Sequence, residues 1–303
     1  MQRRSFIKNT GLTIGALALL SKSSLASFLA DPAFKIKMLT KNIGVFSEKG
    51  GTILFMLGKK GTVVVDSQFP DTAKHLIDEV LKKSKKPFSL LVNTHHHGDH
   101  TAGNIAFKGI VQEVLAHTNS KINQQAAAVK NKNEDKQLYP DLTYDTIWSR
   151  KLKGERLTLH YFGAGHTNGD SFVHFEKANI VHVGDLVFNR RHPFVDRSAG
   201  ANITQWIKTL TEATNKFADD TTYVCGHSAN GYEIVLKKAD ILMFREYLSN
   251  VLKLTNESIA KGMTKADFLK LTEIPGSPEW KGDGITRPLE AAWDELNVPK
   301  TKI

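Results

Sequence analysis

Residues 94–104 read Thr-His-His-His-Gly-Asp-His-Thr-Ala-Gly-Asn, and inside them His95, His97, Asp99 and His100 spell HxHxDH. Three imidazoles and a carboxylate crowded into one short loop call for a cation. Without one, the neutral and anionic donors would be left desolvated against each other. The run 88–93, Phe-Ser-Leu-Leu-Val-Asn, follows Pro87 and is short and apolar, so it reads as a buried strand that delivers the four donors at its C-terminal end. Nitrogen and carboxylate donors suit zinc or another borderline metal. The alternative is a solvated, His-rich surface tract, and the downstream sequence speaks against it.

Three further strand ends carry ligand-type residues. Gly163-Ala-Gly-His166-Thr-Asn-Gly-Asp170 follows a strand-like stretch at 156–161, and its glycines let the backbone bend so that His166 turns inward. The apolar run 180–186 carries Asp185, and Tyr223-Val-Cys-Gly-His227 places an imidazole after another short strand. Each alone is weak, since a lone histidine is more often a satisfied core residue. Their order behind HxHxDH makes the pattern specific.

From about Ile36 to His227 the chain thereby resembles the metallo-β-lactamase superfamily, whose motifs run HxHxDH, a GHT-type histidine, a strand-end Asp and a late GH. The resemblance implies an α/β fold, a four-layered αββα sandwich. It also implies that His95, His97 and His166 hold one metal, that Asp99, His100 and His227 hold a second, and that Asp185 bridges both. Two Zn²⁺ are expected, with Mn²⁺ or Fe²⁺ as substitutes. Such a pair lowers the pKa of a bridging water and polarises the substrate oxygen, so no Ser or Cys nucleophile is needed. Asp99 would orient the resulting hydroxide. The chain departs from the Cys-containing β-lactamase subclass, because Asp185 stands where that subclass carries its Cys ligand. The expected reaction is therefore hydrolysis of an ester, lactone, thioester or cyclic amide in a small-molecule substrate. A β-lactamase is the runner-up, and a glyoxalase-II-type thioesterase the third reading. The single-iron sulfur dioxygenases of this fold fit less well, because His100 and His227 are both present.

His192, in Asn189-Arg190-Arg191-His192-Pro193-Phe194, is a candidate to protonate a leaving group or to grip an anion with Arg190 and Arg191. His96, out of phase with its neighbours, should point away from the metals. His117 is placed for a supporting role, and His75, His160, His174 and His182 have no such placement.

The first 26 residues read as a twin-arginine signal peptide: Arg3-Arg4 precede a short apolar core at 11–20 and a small-x-small junction ending at Ala26. The expectations are recognition by the twin-arginine export machinery, a periplasmic destination, and no stable membrane span after cleavage. The hydrolase domain would occupy 27–303. The formal charge of +10 falls to +6 once the leader's Arg3, Arg4, Lys8 and Lys22 are gone, since the leader contains no acids. Lysines at 82–86, 130–136 and 237–238 lack interleaved aromatics and read as solvated faces, not a nucleic-acid surface. With Cys225 as the sole cysteine no intramolecular disulfide can form, and a buried structural thiol is expected there.

Strand patterns are expected at 42–47, 52–57, 62–66, 112–116, 156–161, 171–175, 180–184 and 222–225. Helices are expected at 71–83, 120–132, 203–217 and 237–254, with helix-like patches at 264–271 and 288–296. The polar segment 131–148 shows no sustained period and reads as a surface insertion near the site mouth.

Overall fold

The computed structural model describes residues 34–297; the segment read as a signal peptide, with the expected junction at Ala26, lies outside them. From Ile36 to Asn297 the chain packs as a single compact unit. A seven-stranded sheet runs in sequence order: β1 (Lys35–Met38), β2 (Ile43–Ser47), β3 (Ile53–Leu57), β4 (Thr62–Val65), β5 (Phe88–Val92), β6 (Val114–His117) and β7 (Leu142–Tyr144). It opens as an antiparallel meander and becomes parallel from β4 to β7. The second sheet has six strands: β8 (Ile147–Leu152), β9 (Glu155–His160), β10 (Phe172–Phe175), β11 (Ile180–Asn189), β12 (Thr222–Ser228) and β13 (Val235–Leu236), with β11 and β12 parallel.

The period-two pattern explains the layering. Ile43 and Val45, Val63 and Val65, and Leu90 and Val92 point from the first sheet into one apolar cluster with Leu157, Leu159, Val173 and Phe175 of the second. The second sheet's other face, with Phe172, Val181, Val183 and Tyr223, is covered by three amphipathic helices. These are α4 (Ile203–Lys216), α5 (Lys238–Ala260) and α7 (Thr286–Leu296), which contribute Trp206, Leu210, Phe244, Tyr247 and Leu289. On the first half of the chain, α1 (Pro70–Lys83) buries Ala73, Leu76, Ile77 and Val80, and α3 (Thr118–Asn131) follows β6. Among the described residues there are also two short helices, α2 (Gly98–Thr101) and α6 (Lys265–Phe268). The architecture is the expected α/β sandwich.

Segment 131–148 departs from its reading as an insertion. Leu142–Tyr144 adds an edge strand to the first sheet, and Ile147 onward starts the edge strand of the second, so this stretch is the crossover between sheets. The alternation in β8 is real but faint. Ile147, Ser149 and Lys151 are exposed, while Trp148, Arg150 and Leu152 are only half-buried. Strands β11 and β12 also run beyond their expected ends, so Asp185 and His227 sit within strands. Cys225 is fully buried, as a structural thiol should be. No helix among the described residues is long and apolar enough to cross a membrane.

Candidate metal centre

Two loops, one helical turn and the strands β11 and β12 converge on a single cluster of donors. β5 delivers His95–His97, His97 immediately precedes α2, and that single turn presents Asp99 and His100. His166 comes from the loop between β9 and β10. Asp185 sits on an irregular stretch of β11, where Gly184 adopts φ +50° and leaves no room for a side chain against Thr94. Next door, a Cβ on Gly226 would run into the Asp185 carboxylate, so glycine there keeps the neighbouring strand clear. His227 lies on the following residue of β12.

The inward-facing atoms form two groups with Asp185 between them. His97 Nδ1 is 3.1 Å from His95 Nε2 and 2.8 Å from His166 Nε2. His227 Nε2 is 2.9 Å from an Asp99 oxygen, and His100 Nε2 is 3.7 Å from it. One oxygen of Asp185 lies 4.0, 3.6 and 3.5 Å from the Nε2 atoms of His95, His166 and His227, and the other lies 3.1 Å from His100 Nε2. Among the described residues four donor sets are each compact enough for one ion: His95, His97 and His166; Asp99, His100 and His227; His95, His100 and Asp185; and His96, His97 and Asp196.

The chemistry of the donors fits a metal. Nitrogen ligands at about 2.0–2.1 Å from a tetrahedral ion stand about 3.3 Å apart, close to the separations in the first group. Although only 3.1 Å apart, His100 Nε2 and Asp185 Oδ1 do not meet in hydrogen-bond geometry, so both are buried and orphaned. The outward nitrogens, by contrast, are held. His95 Nδ1 meets Thr94 Oγ1 at 3.0 Å, His97 Nε2 meets Asp196 at 2.9 Å, and His100 Nδ1 meets Asp66 at 2.8 Å. His166 Nδ1 donates to the Phe194 carbonyl at 2.8 Å. A ring whose outer nitrogen donates presents a lone pair inward, which is how outer partners prepare histidine for a metal.

Protonation follows from burial and charge. Burial, reinforced by neighbouring imidazoles, keeps His95 well below its usual range and pushes His166 down to about 3. Burial also works against ionised Asp185, but His227, His100 and His95 overcome it and hold the carboxyl well below the ordinary value. For His100 the burial penalty is outweighed by the carboxylates of Asp185 and Asp66, which raise it well above normal.

A cavity of about 320 Å³ opens onto these residues, lined by His97, Asp99, His166, Asp185 and His227, with Phe188, Phe194, Arg191 and Arg287 around them. Two larger grooves elsewhere are lined by lysines such as Lys59, Lys60 and Lys153 and contain none of these donor groups, whereas a groove of about 510 Å³ that shares His97 with this cavity is lined by His96 and Asp196.

His192 is not part of this cavity, which corrects its reading as a leaving-group acid or anion grip. It is buried, its Nδ1 lies 2.8 Å from the Tyr247 hydroxyl, and burial pushes it down to about 4. Arg190 also turns away, to Asp240, Glu279 and Asn189, leaving Arg191 to face the cleft. His96 does avoid the inner donors, its Nε2 lying 3.7 Å from Asp196. His117 is bonded to the Asp145 carbonyl and stacked near Tyr161, away from the donors. Asp66, Asp196 and Arg287 were missed, for each is a lone charged residue without a local motif.

Comparison with known proteins agrees with this geometry. The model of the metallo-beta-lactamase superfamily matches residues 48–227. Metallo-beta-lactamase IND-1 of Chryseobacterium indologenes is 26% identical over 214 residues, covering 68% of this chain and 85% of that protein. Metallo-beta-lactamase type 2 of Bacillus cereus is 26% identical over 217 residues, covering 68% and 82%. Among solved structures, a metallo-beta-lactamase from Pontibacter korlensis superposes with a TM-score of 0.61 at 19% identity, covering 72% of this chain and 99% of that one. The stereoselective inverting sec-alkylsulfatase of Pseudomonas sp. superposes at 0.69 with 13% identity, covering 86% of this chain but only 50% of its own. With the family's model matched over more than half its length, this chain belongs to the metallo-beta-lactamase superfamily and is a metal-dependent hydrolase.

Proposed function

We propose that the chain is a two-metal hydrolase, with zinc as the native ion, that cleaves an ester, lactone, thioester or cyclic amide bond in a small molecule after export to the periplasm. One observation carries the reading: Asp185 lies between two histidine groups, within 4.0 Å of four imidazole nitrogens. His95, His97 and His166 would hold one ion, Asp99, His100 and His227 the other, and Asp185 would be shared. Bound metal supplies a water acidified toward neutrality and Lewis-acid polarisation of the scissile group. The protein's own part is to position. Asp99 is one-third exposed at the cavity, where it orients the attacking water and accepts its proton. Phe188 and Phe194 exclude bulk solvent from the reacting bond.

A β-lactamase is the second reading, favoured by the names of the relatives at 26% identity. Asp185 in place of a cysteine weighs against it. Elemental analysis of the purified mature chain tests the metal count. Two ions are expected, with His227→Ala and Asp185→Ala each losing one; a fixed single ion unchanged in His227→Ala would refute the two-metal reading. A panel of nitrocefin, acyl-homoserine lactones, thioesters and phosphodiesters tests the reaction, and efficient β-lactam turnover with negligible esterase activity would favour the second reading.

A further inference from the structure

We infer that Arg191 and Arg287 form a two-arginine clamp that selects substrates carrying an oxyanion next to an apolar body, a proposal that rests on the hydrolase reading above. Of the arginines among the described residues, Arg150, Arg156, Arg190 and Arg197 are paired with carboxylates and Arg245 bonds the Thr211 hydroxyl. Arg191 and Arg287 alone have no side-chain partner among the described residues, and both line the same cavity as the donor cluster. The carboxylates of that cavity, Asp99 and Asp185, face the imidazoles of the donor cluster, His227 lying 2.9 Å from Asp99 and 3.5 Å from Asp185. Two guanidinium groups sharing one opening repel each other, and an anion between them relieves that repulsion.

The backbone builds the pair on firm supports. Arg190 adopts φ +55°, so two consecutive arginines diverge: Arg190 is buried against Asp240 and Glu279, and Arg191 turns to the cleft. Arg287 comes from the first turn of α7, almost a hundred residues later and outside the region matched by the family model. That helix is pinned by buried Pro288, Leu289 and Ala292, and by Glu295, which accepts from the backbone of Ile203 and Thr204 at the start of α4. The C-terminal segment thus contributes directly to the cleft.

A planar guanidinium recognises carboxylate, sulfate or phosphate through paired N–H donors. Phe188 and Phe194, on the same walls, suit an aromatic or alkyl body. The oxyanion is then either a carboxylate beside the scissile ester or the sulfate or phosphate ester itself.

The test uses the metal-loaded chain with Arg191→Gln, Arg287→Gln, the double variant and Arg287→Lys. Hydrolysis of 4-nitrophenyl hemisuccinate is compared with that of its neutral near-isostere 4-nitrophenyl butyrate, and calorimetry measures inorganic sulfate binding. In the double variant the charged-to-neutral ratio of kcat/KM should fall at least about tenfold, through KM, and sulfate binding should weaken by a similar factor. Arg287→Lys should recover part of the Arg287→Gln loss. Turnover of 4-nitrophenyl sulfate or 4-nitrophenyl phosphate above hemisuccinate would assign the oxyanion to the cleaved group, and the reverse order to a neighbouring carboxylate. Equal loss on both esters, or an unmoved ratio and unmoved sulfate binding, would overturn the clamp. If no ester is cleaved but sulfate binding still depends on the two arginines, the clamp stands and the ester-cleaving reading falls.

Discussion

Asp66 offers the sharpest probe of how the protein prepares its metal centre. It follows β4, is fully buried, and accepts three hydrogen bonds at 2.8 Å: from the Thr94 amide, the Thr94 hydroxyl and His100 Nδ1. Thr94 Oγ1 in turn receives His95 Nδ1 at 3.0 Å, so one carboxylate sets the orientation of two inner histidines. The residue adopts φ +63°, a conformation that asparagine tolerates well. Asp66→Asn therefore preserves shape and backbone while replacing an acceptor by an amide. Whichever way the amide is turned, it has one acceptor for three donors. If its NH2 faces His100, the ring must accept at Nδ1 and carry its proton on Nε2, the atom needed inward. Loss of such an outer partner lowers metal affinity about 10- to 100-fold. Asp66→Ala is harsher, because it strands three buried donors at about 1–3 kcal/mol each, and even with relaxation should cost about 3 kcal/mol or more. Metal affinity read by competition with a chromophoric chelator, alongside urea unfolding, separates the two effects. The expected result is an Asp66→Asn chain that folds cooperatively but binds one ion markedly more weakly. Wild-type affinity for every ion in that variant would refute the claim that Asp66 sets the His100 tautomer.

Other perturbations give distinct signatures. His192→Ala removes the Tyr247 contact and leaves a buried gap, so stability should drop by about 2 kcal/mol while kcat/KM stays within about threefold; a hundredfold fall in kcat with unchanged melting would restore a general-acid role. Asp170 is pushed up to about 7, mainly by burial and against its bonds from Thr167, from an ordinary value of 3.8. Because the folded chain then holds that proton more tightly than the unfolded one, its contribution is complete below about pH 4 and lost as pH rises through about 7. Asp170→Asn in chelator-treated protein should therefore gain stability relative to wild type at pH 8 compared with pH 5, and a difference independent of pH would contradict the assignment. If the leader uses the twin-arginine route, replacing Arg3 and Arg4 together by lysine should leave precursor inside the cell; normal fractionation to the periplasm would remove that proposal.

What could be read from the chain depended on how far each signal reaches along it. HxHxDH is contiguous, and the later histidine and acid stand in a recognisable order, so the inner donors could be named without coordinates. The sandwich was similarly open to reading, because runs such as 62–66 and 88–93 are apolar on both faces and end in turns. Segment 131–148 escaped because its strands are edge strands. In β8 one face is exposed and the other only half-buried, so polar residues occupy both and the period-two signal fades. The supporting charges escaped for a different reason. Asp66 lies 34 residues before His100, Asp196 lies 99 after His97, and Arg287 reaches the cleft from the C-terminal helix. No local pattern announces such partners, since tertiary packing alone brings them into contact.

The same logic accounts for the misplacement of His192. Its neighbours in sequence include two arginines, which suggested a shared anion grip, but sequence adjacency says little about direction once a residue such as Arg190 leaves the extended region. One arginine of that pair is spent inside the protein on Asp240 and Glu279, the histidine on Tyr247, and only Arg191 reaches the cavity. Its counterpart is then found on α7, a part of the chain beyond the family's matched region. The division of labour follows physically: the inner donors demand a geometry that the shared sandwich supplies, whereas charge around the opening can come from any element that packs nearby. Substrate choice is thus free to diverge while the metal-holding frame stays the same.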